Sequence, residues 1–186
     1  MEKIILGIDP GTMVMGYGLI EVKNNKVRLI TLDELLLHKL PNQEMKLKKI
    51  FEKTLAIIDQ YHPDELAIEA QFFGVNVQSM LKLGRAQGVC IAACLYRDIP
   101  IVEYAPNKIK MAITGNGNAS KEQVAGMLQH LLGLKEIPKR LDATDGLAVA
   151  VCHYLNSGKA SSSSTGTTKS SSSWESFVKN NPKRAK

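Results

Sequence analysis

The 186-residue sequence predicts an α/β domain in which a five-stranded mixed sheet, three strands antiparallel and two parallel, is flanked by helices. Three observations carry that reading. Apolar, β-branched runs follow one another across residues 4–37 with turn residues between them, the pattern of an antiparallel meander. Two short apolar runs, 65–70 and 101–104, each come after a stretch with helical periodicity, as expected of crossovers that return the chain parallel to the first strand. The intervening stretches keep an apolar period of three and four residues.

The first run, Ile4 to Asp9, is interrupted only by Gly7 and ends on a carboxylate before Pro10-Gly11. Tyr17 to Val22 and Val27 to Leu37 are the next two strands, with Asn24-Asn25 as the hairpin turn. Across Gln43 to Tyr61 the residues Leu47, Ile50, Phe51, Leu55 and Ile58 recur at helical spacing among lysines and glutamates, and His62-Pro63-Asp64 ends that helix. His62 reads as a surface residue. Glu65 to Ala70 is a buried strand that again finishes on an acid, Glu69. Val77 to Tyr96 is a long helix on which Gly84, Gly88 and Ala92 leave one face nearly bare. From the residues alone, that face is expected to receive another helix of the same subunit. Ile101 to Tyr104 is the last strand. Pro106 opens a basic helix with Lys108 and Lys110, and Ser120 to Gln123 is a capping box that opens another, with Lys121 in its first turn. Asp142 and Asp145 precede Gly146 to Leu155, apolar on nearly every face and therefore a buried helix. His153 within it reads as a satisfied core histidine.

Charge is unevenly spread. The net charge is +6, but residues 157–186 hold six basic residues and one acid, which leaves the first 156 residues nearly neutral. Any phosphate-binding surface of the body must therefore come from local clusters. Cys90, Cys94 and Cys152 are odd in number, lie in apolar segments and lack Cys-x-x-Cys spacing, which argues against disulfides and zinc. No membrane-spanning run and no signal-peptide pattern are present, so a cytoplasmic protein is expected.

The acids carry the chemistry. Asp9 alone reads equally as a turn residue or as a ligand, and Asp142 with Asp145 reads as a helix cap or as a ligand pair. Glu69 changes the balance: acids that end two neighbouring strands lie close together, where they repel unless a cation intervenes. Asp9, Glu69, Asp142 and Asp145 all begin or end elements at one sheet edge. Oxygen ligands without His or Cys suit Mg2+, and Mn2+ could substitute. Two such ions, about 3.5–4 Å apart, would serve phosphodiester hydrolysis.

The segments GIDPGTMVMGYG, AIEAQFF followed by LKLGRAQG, and LDATDGLAVAVCH, in this order over residues 1 to about 155, resemble the RuvC family of Holliday junction resolvases. The resemblance implies an RNase H-like fold, a homodimer and paired, magnesium-dependent nicks in a four-way junction. It further implies a preference for a short T-rich sequence and work beside the branch-migration proteins RuvA and RuvB in recombination and repair. It carries the four catalytic acids onto Asp9, Glu69, Asp142 and Asp145, the two phosphate-contacting lysines onto Lys110 and Lys121, and the junction aromatic onto Phe72. Phe73 reads as a packing residue. Ala70 is a departure, standing where the family usually has a polar residue. With the resemblance in view, the Gly84–Gly88 face becomes a candidate dimer contact. Two other classes are compatible with parts of the sequence: an actin-like nucleotide phosphotransferase, whose phosphate loop also reads Gly-Ile-Asp-x-Gly-Thr, and a non-catalytic junction-binding scaffold. The first would need a longer chain and a second glycine-rich loop; four retained acids argue against the second.

The domain is expected to span residues 1–156. Residues 157–173, rich in Ser and Thr, read as a linker, and 174–186, with Trp174 and Phe177 before a basic end, as disorder, a docking peptide or a non-specific DNA-binding tail.

Overall fold

A computed structural model describes residues 2–71, 76–136 and 141–160. The chain begins with β1 (Glu2–Asp9), β2 (Val14–Lys23) and β3 (Lys26–Leu36), an antiparallel meander. Asn24 and Asn25 join the last two with φ of 51° and 60°, the left-handed pair that a two-residue hairpin turn requires and Asn tolerates. Next comes α1 (Gln43–Tyr61), whose first turn is capped by the Asn42 side chain accepting from the Met45 N–H. It ends where exposed His62 turns left-handed. The strands β4 (Glu65–Glu69) and β5 (Ile101–Tyr104) run parallel to β1 and to each other, with α2 (Val77–Leu95) as the crossover between them. The chain closes with α3 (Pro106–Thr114), α4 (Lys121–Leu132) and α5 (Asp142–Ala160). Both halves of the Ser120–Gln123 capping box form. The sheet order is β3-β2-β1-β4-β5, the mixed sheet that the sequence predicts.

The sheet separates two cores. Leu6, Ile8, Leu66 and Ile68 face α1 and α2, where they pack with Ile50, Ile58, Ala86 and Cys90. On the other face, Ile5 and Ala67 pack with Leu147 and Val151 of α5, with α3 and α4 completing the layer. Strand alternation puts Asp9 and Glu69 on the α5 side, in line with Ile5 and Ala67. The three cysteines are buried and free, and burial pushes the Cys90 thiol up to about 12, so they are inert core residues.

Two expectations are corrected. Phe51 is 36% exposed, because the buried stripe of α1 runs through Ile50, Thr54, Ile57 and Ile58, with the Thr54 hydroxyl donating to the Ile50 carbonyl. Among the described residues, no helix packs on the Gly84–Gly88 face: a Cβ added at either glycine would meet nothing within 4 Å. The reason is that α2 turns Ala86, Cys90, Ala93 and Cys94 inward, which leaves the glycines on the opposite side. Among the described residues, no helix is long and apolar enough to cross a membrane. Phe72, Phe73 and residues 161–186, with Trp174 and Phe177, lie outside the described residues.

Candidate active site

The site forms where β1 and β4 end. Ile8 pairs with Ile68 in parallel register, so the next residues, Asp9 and Glu69, stand side by side on the same face of the sheet. The remaining two acids arrive on α5. This helix meets the sheet almost backbone to backbone. A Cβ at Gly7 would stand 2.2 Å from the Gly146 carbonyl, one at Gly16 1.9 Å from the Asp142 carbonyl, and one at Gly146 2.5 Å from the Tyr17 Cα. Glycines at these crossing points therefore let the N-terminal turn of α5 settle onto β1 and β2, with Asp142 and Asp145 beside Asp9. Farther along α5, His153 is buried and its ring meets the Tyr104 hydroxyl at 2.8 Å and the Glu65 carboxylate, as expected of a satisfied core histidine.

Asp9, Glu69 and Asp145 line a cleft of about 240 Å³ together with Lys110 of α3, Lys121 of α4 and apolar walls from Ile109 and Val124. Asp142 sits at the rim, its side chain 44% exposed, and joins the group through Lys121, whose ammonium donates to Asp142 Oδ1 at 3.2 Å and to Asp145 Oδ2. Three of the four predicted acids thus share one cavity and the fourth borders it, and both predicted lysines reach it. Phe72 follows Gln71 immediately, one residue beyond what is described. At Ala70 the side chain offers no polar contact, and its backbone N–H donates to the Tyr104 carbonyl.

Electrostatics mark the site as short of positive charge. Burial first, and then the charges of Glu69 and Asp145, hold the Asp9 carboxyl well above the ordinary carboxylate range, although Lys121 works against them. Burial and Asp145 push Glu69 up to about 7. Asp145 is raised by burial too, with the Lys121 contact opposing. Burial also works against the charge of Lys121, but its contacts with Asp145 and Asp142 outweigh that and raise its pKa. Neither the Asp9 nor the Glu69 carboxylate accepts a hydrogen bond from a described side chain, so their lone pairs remain available. All-oxygen donors with mutually raised pKa values are the donor set that a hard divalent cation stabilises. As the side chains stand, however, no three acids among the described residues close on one point to hold an ion.

The sequence profile described as "Crossover junction endodeoxyribonuclease RuvC" matches residues 5–153. The chain belongs to the RuvC family. The RuvC of Christiangramia forsetii is 64% identical over 183 residues, covering 98% of this chain and 93% of its own. That of Bacteroides fragilis is 57% identical over 187 residues, covering 100% and 97%. A solved structure of Thermus thermophilus RuvC in complex with Holliday junction substrate aligns with a TM-score of 0.79 at 31% identity, over 85% of this chain and 96% of that one. The fold of the chain is thus that of the RuvC resolvases. Membership argues against the nucleotide phosphotransferase reading.

Sequence reasoning missed the glycines that seat α5. Gly7, Gly16 and Gly18 all fall on strands, where glycine weakens the element unless something approaches closely, and three in two adjacent strands was the available signal.

Proposed function

We propose that this protein resolves four-way DNA junctions by hydrolysing phosphodiesters at the acid-lined cleft, as a homodimer that nicks two strands symmetrically in recombination and repair. The single observation that carries this reading is the meeting of Asp9, Glu69 and Asp145 in one cleft with Lys110 and Lys121, in a chain of the RuvC family. Asp9, Glu69, Asp142 and Asp145 are the residues proposed to hold magnesium, two ions per site, with manganese able to replace it. Bound there, the ions would supply Lewis-acid stabilisation of the leaving oxygen and a lowered pKa for an attacking water.

The chain's own groups do the rest. Asp9 is fixed by the strand that carries it and by α5 above it, so its carboxylate is preorganised. Lys110 and Lys121 present ammonium groups to a phosphate in the cleft and offset the charge that develops on it. Apolar walls from Ile109 and Val124 limit the water around the acids and strengthen every charge interaction within. Phe72, directly after Glu69 and Ala70-Gln71, is proposed to stack on an unpaired base at the crossover, a contact worth about 1–3 kcal/mol.

Two identical sites must be held at a fixed separation to cut a symmetric junction. The exposed face of α2 is the proposed dimer contact: Val77, Leu81 and Leu95 are 64%, 51% and 59% exposed, in register with Gly84, Gly88 and Ala92. Such an apolar and small-residue stripe on one helix face suits a partner helix at close approach. RuvA and RuvB are the partners that family resemblance implies; α5 carries the domain on past residue 156 to Ala160, and the residues after it are proposed to form a linker and basic tail.

The test uses a mobile four-way junction and a linear duplex of the same sequence, each with Mg2+ or with a chelator. Cleavage of the junction in Mg2+ alone, at paired positions, is the expected result. Equal cutting of the duplex, or cutting in chelator, would contradict the reading.

A further inference from the structure

Lys121 occupies an unusual place. It is the first residue of α4, where the positive end of the helix dipole disfavours a cation, and the adjacent Ser120–Gln123 capping box fixes that helix start firmly. A local rule broken at a well-formed helix end asks for a compensating interaction. The acids of α5 supply it: the ammonium bridges Asp142 Oδ1, at 3.2 Å, and Asp145 Oδ2. Lys121 is thus a positive group placed directly on two of the four acids proposed to hold the divalent cation.

The two kinds of cation compete for the same oxygens. A carboxylate oxygen turned toward the ammonium is not available as an inner ligand, and a divalent ion close to a lysine head would face strong repulsion in a partly buried cleft. The lysine can leave. Its side chain is 51% exposed and its four-carbon stem is flexible, whereas Asp145 is 16% exposed and held by α5.

We propose that Lys121 is the resident counter-ion of the metal-free site, holding Asp142 and Asp145 until a divalent cation displaces its ammonium. The proposal rests on the reading of the four acids as a cation site. It assigns Lys121 a role that precedes DNA: a built-in competitor that satisfies the acids when no metal is present and weakens metal binding until substrate phosphate can receive the released ammonium.

Lys110 provides the control. It lines the same cleft and bears on Glu69 and Asp145 through space, without an ion pair to either. Removing its charge therefore relieves general repulsion of a metal without freeing any oxygen. The experiment measures Mn2+ binding to the full chain without DNA, by the electron paramagnetic resonance signal of free Mn2+, for wild type, Lys121→Met, Lys110→Met and Asp9→Asn. Lys121→Met is expected to bind Mn2+ about five-fold more tightly than wild type, the yield of releasing two partly exposed ion pairs, and more tightly than Lys110→Met. In thermal melts, Lys121→Met is expected to melt below wild type in chelator and to gain more from Mn2+. Affinity equal to or weaker than wild type, affinity no tighter than Lys110→Met, or an unchanged melt in chelator would overturn the proposal. A different pattern would overturn the cation-site reading and the proposal with it: no Mn2+ binding by any protein, or undiminished binding by Asp9→Asn.

Discussion

Asp9 is the residue on which the site's electrostatics turn. Its carboxylate is crowded by burial and by three further acids, Glu69, Asp145 and Asp142, so its pKa is raised in the folded chain. The sign of the consequence follows from linkage. A carboxyl whose folded pKa lies above its unfolded value destabilises the fold once pH exceeds the unfolded value, and the penalty is complete above the folded pKa. Asp9→Asn removes that penalty with little change of shape. In chelator at pH 8 the variant should melt above wild type, by roughly 2–4 °C for each kcal/mol relieved in a chain of this size. The difference should close as pH falls below the unfolded value of 3.8, where Asp9 of the wild type becomes neutral in both states. Adding Mg2+ should reverse the order, because only the wild type retains the full acid set. A variant that melts below wild type in chelator would show that Asp9 is satisfied by something other than a bound cation.

At the scale of elements, the seat of α5 and the bare face of α2 make opposite demands on glycine. A Cβ at Gly146 would press on the backbone of Tyr17 at 2.5 Å, whereas one at Gly126 of α4 would meet nothing within 4 Å. Alanine is about 1 kcal/mol better than glycine in a helix interior. Gly126→Ala should therefore stabilise the protein by up to about that amount in urea denaturation, while Gly146→Ala should destabilise it by roughly 1–3 kcal/mol. Because Gly146→Ala lifts the first turn of α5, junction cleavage should fall by more than the folded fraction does. On α2, Gly88→Leu should fit the monomer, since no described atom lies within 4 Å of a Cβ added there. Its melting temperature at low concentration should hold or rise, and analytical ultracentrifugation should show a reduced dimer population. An unchanged dimer would remove that face from the interface.

These elements also show what the sequence discloses and what it withholds. Hairpin, capping box, crossover strands and the buried last helix are legible because each rests on local signals: Asn24-Asn25, Ser120 with Gln123, strand-length apolar runs, and an apolar face all round. The pairing of Asp9 with Glu69 is legible because both end strands that neighbour each other. The approach of α5 is not, since contact between Gly146 and Tyr17 depends on how helix and sheet are layered, and periodicity does not encode that. Gly84 and Gly88 were misleading for a related reason. A small-residue face announces that something packs closely, without saying whether the neighbour belongs to the same chain. Nor does sequence reveal that Lys121 reaches the α5 acids, across 21 and 24 residues.

For the whole molecule, the sheet acts as a frame with its chemistry at one edge and its apolar stripe on the outer face of α2. A cleft with three acids and two lysines would suit one phosphate of a nucleic acid backbone once a bound cation offsets the acids, and the nearly neutral body leaves little general attraction for DNA elsewhere. On the proposed dimer, selectivity for a junction would arise from paired sites and from shape. Binding and chemistry should accordingly be separable by a single atom change at Asp9, the proposed metal ligand. The most direct measurement follows both on one substrate: gel-shift affinity for a four-way junction, and its cleavage in Mg2+, for wild type and Asp9→Asn. The account predicts that Asp9→Asn binds the junction with affinity close to wild type and leaves it uncut. Cleavage by Asp9→Asn at the wild-type rate would contradict the assignment of this cleft as the catalytic centre.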